Sequence, residues 1–131
     1  MAESGYVLDT NAVIFLTTKG NIIPSNLEHE LNKADLFISV ISEIELFSKP
    51  AMPLNEEENL RTFLSERILT VELTSDIKKE TITLRRSARL KIPDCIIAAT
   101  AIVQNAALLT ADKELLGFSW PGLRTRFVTE S

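Results

Sequence analysis

Asp9, Glu45, Asp94 and Asp112 are spread over most of a 131-residue chain, yet each stands beside the end of an apolar run or at the start of a helical period. Asp9 closes the run YVLD, Glu45 lies about one helical turn beyond FISV, Asp94 opens PDCIIAATA, and Asp112 follows ALLT by two residues. Brought together, these carboxylates would repel one another, so that at neutral pH some would take up protons or the site would hold cations. Oxygen donors suit a hard divalent ion, Mg2+ or Mn2+, whereas His29 and Cys95 stand apart from the acids and make Zn2+ a poor match. One or two such ions can turn water into a nucleophile and stabilise an in-line displacement at a phosphodiester.

Each acid also has a plain structural explanation. Asp9 can cap the segment that follows, with Thr10 and Asn11 helping to satisfy its free N–H groups. Glu45 can close a capping box with Ser42, Asp94 suits the positive end of a helix, and Asp112 can cap or turn the chain before KELL. Glu43 would point about 200° away from Glu45 around a helix, so only one of that pair can face Asp9. What favours a site is the joint placement of the acids at one edge of a sheet, where open α/β folds bind their ligands.

The elements that must position them follow from the apolar pattern. Short continuous runs at residues 6–9, 36–40, 68–73, 107–110 and, more weakly, 126–128 read as strands. They are apolar on both faces, which predicts a mostly parallel sheet covered by helices rather than a sheet with one wet face. Helical periods fill residues 10–17, 27–34, 42–48, 55–67, 75–90 and 93–105. Ser42 and Ser75 are the expected caps, Pro93 suits a first turn, and Asn105 suits a left-handed helix end. The expected class is α/β, in one domain spanning residues 1–131.

Composition sets the remaining bounds. An apolar share of 45% with 24% charged residues is a globular profile. Cys95 is alone, which excludes an internal disulfide and suggests a reducing compartment, the cytoplasm. MAESGYVLD lacks the features of a secretion signal, and no apolar run nears the roughly twenty residues of a membrane span. The net charge of −4 argues against a nucleic-acid partner, but Lys78, Lys79, Arg85, Arg86, Arg89 and Lys91 concentrate six of the fourteen basic residues in one stretch. That stretch is either a solvated helix face or a contact for phosphates.

VLDTN, ISVISEIEL, PDCIIAATA and LLTADKEL, in this order and at these distances, resemble the blocks of PIN-domain ribonucleases, particularly VapC-like toxins of toxin–antitoxin pairs. The resemblance implies a three-layer α/β/α sandwich around a mostly parallel sheet and metal-dependent cleavage of RNA. It assigns Asp9, Glu45, Asp94 and Asp112 as catalytic acids and Mg2+ ligands, with Mn2+ as a substitute, and sets Thr10, Asn11 and Thr110 beside them as supporting residues. Glu45 takes the second place because Leu46 follows it, and Glu114 matches a further acid found in some members. A small antitoxin and a homodimer are implied partners, and Arg85, Arg86 and Arg89 would meet the RNA backbone. The competing reading is a receiver-like phosphoacceptor module, which usually opens with paired acids where this chain has one. A PIN-like scaffold without catalysis is a further alternative, disfavoured by retention of the acids.

Overall fold

The computed structural model describes residues 5–130. Five strands, β1 (Gly5–Leu8), β2 (Asp35–Ser39), β3 (Leu69–Val71), β4 (Ala107–Thr110) and β5 (Thr125–Phe127), form one sheet in the order β3-β2-β1-β4-β5. Every pairing is parallel. The helices are α1 (Thr10–Thr17), α2 (Ser25–Lys33), α3 (Val40–Phe47), α4 (Leu54–Arg67), α5 (Ser75–Ser87), α6 (Ile92–Gln104) and α7 (Lys113–Leu116).

The period of two along the strands divides the apolar side chains into two cores. Tyr6, Leu8, Ile38 and Leu109 face one layer, where they meet Val13, Leu27, Leu60 and Leu64 of α1, α2 and α4. Val7 and Leu108 face the other, against Ile77 and Leu84 of α5 and Cys95, Ile97 and Ala98 of α6. The chain is therefore the α/β/α sandwich expected. At the amino end of β1 a side chain would not fit at Gly5, because a Cβ would lie 2.8 Å from the Phe37 ring. Asn105 ends α6 in the left-handed conformation, at φ 53°, as anticipated.

Two caps differ from expectation. Ser39, not Ser42, caps α3 by accepting from the Ile41 N–H at 3.1 Å, because the helix starts directly from the last residue of β2. Ser42 is buried inside α3 and forms no capping box with Glu45. Thr74, not Ser75, caps α5. That helix also ends at Ser87, so Arg89 and Lys91 belong to the connection before α6.

One polar cluster ties distant parts of the chain together. The Tyr6 hydroxyl donates to Glu30 Oε1 at 2.9 Å and accepts from Arg126 Nη1 at 3.0 Å, while Arg126 also donates to Glu30 Oε2 at 2.6 Å. This joins β1, α2 and the edge strand β5. Tyr6→Phe deletes the shared hydroxyl and is expected to lower unfolding stability by about 1–2 kcal/mol. A fall in the urea midpoint with unchanged slope would show it; an unchanged midpoint would mean the hydroxyl contributes nothing.

Candidate active site

The sheet order reverses at β1, which lies between β2 and β4, and such a switch point opens a crevice at the carboxyl ends of the strands. A cleft of about 210 Å3 lies there, lined by Asp9, Thr10, Asn11, Glu45, Asp94, Ile97 and Asp112. The acids singled out in the sequence thus meet in one place. A larger hollow, about 440 Å3, opens beside Gly5, Tyr6, Glu30 and Lys33, but its acid Glu30 is already engaged by Tyr6 and Arg126.

Asp9 follows β1 directly and caps α1, its Oδ1 accepting the Ala12 N–H at 2.7 Å. Its Oδ2 accepts the hydroxyl of Thr110, the last residue of β4, and the residue is only 3% exposed. Burial pushes the Asp9 carboxyl above the usual range, against hydrogen bonds from Thr110, Ala12 and Ala111, and the nearby Asp112 charge adds to the rise. Thr10 and Asn11 are not the cap. The Thr10 hydroxyl donates to Glu45 Oε1 at 2.6 Å, and Asn11 is exposed at the cleft edge.

Asp94 stands in the first turn of α6, after Pro93, and has no hydrogen-bond donor among the described residues. Burial raises its carboxyl above the ordinary value, and the charges of Asp112, Asp9, Glu45 and Glu114 raise it further. Asp112 follows β4 and caps the short helix α7 by accepting from the Glu114 N–H at 2.9 Å. That turn brings Glu114 into the group: oxygens of Asp94, Asp112 and Glu114 lie within 4.8 Å of one another. Ligands on opposite sides of a Mg2+ ion stand about 4 Å apart, so small rotamer changes would let these three share one. The donor set is all carboxylate, and no Lys or Arg among the described residues lines the cleft to offset it.

Glu43 points elsewhere, into a hollow with Phe47 and Arg61. Lys78, Lys79, Arg85 and Arg86 are exposed on α5, away from its buried Ile77 and Leu84, and Arg89 is exposed beyond its end. None lines the cleft, but Arg85 is near enough to Cys95, the residue after Asp94, for its charge to favour the thiolate that burial opposes. Ile97, one turn after Asp94, supplies an apolar part of the lining that the acid pattern did not point to.

A family model described as PIN domain matches residues 6–119. Among solved structures, a chain of the VapBC2 complex from Rickettsia felis, bound to a DNA fragment from its promoter, superposes with a TM-score of 0.75 at 26% identity, covering 94% of this chain and 98% of that one. A toxin–antitoxin complex from Klebsiella pneumoniae gives 0.70 at 27% identity, covering 90% and 94%. VapBC-1 from nontypeable Haemophilus influenzae shares the fold, with 0.70 at 23% identity over 96% and 99%. No curated protein sequence matches the chain.

Proposed function

Since the chain belongs to the PIN-domain family, we propose that it is a Mg2+-dependent endoribonuclease, cutting single-stranded or structured RNA as the toxin of a toxin–antitoxin pair. The observation that carries this reading is the convergence of Asp9, Glu45, Asp94, Asp112 and Glu114 at one sheet edge, with no basic side chain among the described residues lining the cleft. Asp94, Asp112 and Glu114 are the residues that would hold the ion, with Asp9 and Glu45 as further acids lining the same cleft. A bound Mg2+ or Mn2+ supplies Lewis-acid polarisation of a phosphoryl oxygen and acidification of water.

The chain's own residues do the rest. Asp9 is locked by Thr110 and Ala12 and presents a fixed carboxyl at the cleft floor. Glu45, on the exposed rim, would offer the cation a further carboxylate oxygen, and Asn11, which also lines the cleft, can donate to a phosphate oxygen. The exposed cations of α5 would hold the RNA backbone away from the scissile bond. The receiver alternative fits poorly, because both Asp9 oxygens already accept hydrogen bonds and the carboxylate is buried. No helix among the described residues is long and apolar enough to cross a membrane. The reading is of a cytoplasmic protein that acts as a homodimer. The partner expected to restrain it is a small antitoxin whose Arg or Lys enters the acidic cleft.

The test is cleavage of single-stranded RNA by the native chain with Mg2+, with EDTA, and with Mg2+ restored in excess. EDTA should abolish cutting and excess Mg2+ should bring it back; cleavage indifferent to EDTA would refute the proposal. Replacing Arg85, Arg86 and Arg89 together by Ala should lower the slope of log affinity against log salt by about two, since each phosphate contact on a single strand contributes roughly 0.7. An unaltered slope would make α5 a solvated face.

A further inference from the structure

Thr10 stands in the first turn of α1, where Asp9 already supplies the side-chain cap. Its hydroxyl is not needed there and donates instead to Glu45 Oε1 at 2.6 Å, across 35 positions of sequence. Glu45 is exposed on α3, and this is its one side-chain hydrogen bond among the described residues. An exposed glutamate is free to leave the cleft, and holding it there costs rotamer entropy that this bond offsets. Glu45 is also outside the group formed by Asp94, Asp112 and Glu114, so it occupies the wall built by α1 and α3.

We infer that Thr10 is a positioning residue: it fixes one oxygen of Glu45 on that wall and leaves Oε2 facing a cation gathered by Asp94, Asp112 and Glu114. This deepens the metal-dependent reading above and rests on it. Thr110 plays the matching part toward Asp9, so Asp9 and Glu45 are each held by a threonine hydroxyl while Asp94 is not.

Thr10→Val removes the hydroxyl and keeps the branched shape, whereas Thr10→Ser keeps the hydroxyl. Mn2+ binding to the metal-free chain, followed by calorimetry, gives a readout independent of catalysis. Thr10→Val should weaken Mn2+ binding about three- to tenfold, the range of one hydrogen bond, and lower kcat with little change in KM. Thr10→Ser should stay within about twofold of the native chain, and in a Glu45→Ala background Thr10→Val should add no further loss. Equal losses in both backgrounds, or Mn2+ binding unchanged by Thr10→Val or by Glu45→Ala, would overturn the proposal. Melting temperatures establish that the variants fold, with Thr10→Ala as the substitute should the valine chain fail. A native chain that binds Mn2+ with this coupling but cuts no RNA would refute the nuclease reading and leave the positioning role standing.

Discussion

Asp94→Asn is expected to cut RNA roughly a thousandfold more slowly than the native chain and yet, without metal at neutral pH, to melt about 2–5 °C higher. Both effects come from one geometry. Asp94 is partly buried, has no hydrogen-bond donor among the described residues, and feels the charges of Asp112, Asp9, Glu45 and Glu114. Asparagine keeps its shape and removes the charge that the fold opposes, but it offers Mg2+ one neutral carbonyl oxygen in place of a carboxylate. The sign of the pH dependence follows: the folded carboxyl titrates above its unfolded value, so the folded chain binds the proton more tightly. Its cost is absent below the unfolded value near pH 4, grows as pH rises to the folded value, and stays constant above it. The stability gain of Asp94→Asn should therefore vanish in acid and reach its full size at neutral pH. Excess Mg2+ should raise the melting temperature of the native chain alone. A variant that melts at or below the native chain in EDTA at pH 7 would show that Asp94 is not under charge strain.

What could be read in the sequence is what local pattern controls. The parallel sheet was legible because β1 is buried at all four positions and Leu108 and Leu109 are buried on opposite faces, so apolar runs without alternation had one reading. The placement of Asp9 and Asp112 followed from the ends of those runs, and that of Asp94 from the start of a helical period. The cap of α3 was not legible, since Ser39 and Ser42 both suit the role and only the direct passage from strand to helix selects the first. Glu114 depends on α7, whose four residues are too few to show a helical period. Thr10 bonding Glu45, and Arg126 bonding Tyr6 and Glu30, join residues 35, 120 and 96 positions apart, and nothing in local sequence encodes such pairs.

Asp9→Ala should remove activity as thoroughly as Asp94→Asn but move stability the opposite way, by about 2–3 kcal/mol downward. Asp9 is the cap of α1 and the acceptor for a buried hydroxyl, so its carboxylate serves the fold as well as the site. Loss of an Asp cap costs about 0.5–2 kcal/mol, and leaving the Thr110 hydroxyl without its acceptor adds about 1 kcal/mol or more. Relief of the repulsion from Asp112 and of the burial of charge works against this. The loss wins because both oxygens of a residue 3% exposed are engaged by donors that alanine cannot answer. Asp9→Asn belongs between the two, since its single carbonyl oxygen can serve Ala12 or Thr110 but not both. The Thr110 hydroxyl has a second acceptor in reach, the Asp112 carbonyl at 3.3 Å, which should keep the loss in both Asp9 variants within that range. Urea unfolding in EDTA should thus rank the midpoints Asp94→Asn, native, Asp9→Asn, Asp9→Ala from highest to lowest. A midpoint for Asp9→Ala equal to the native value would mean that Asp9 does not hold α1, and would return it to the role of a free ligand.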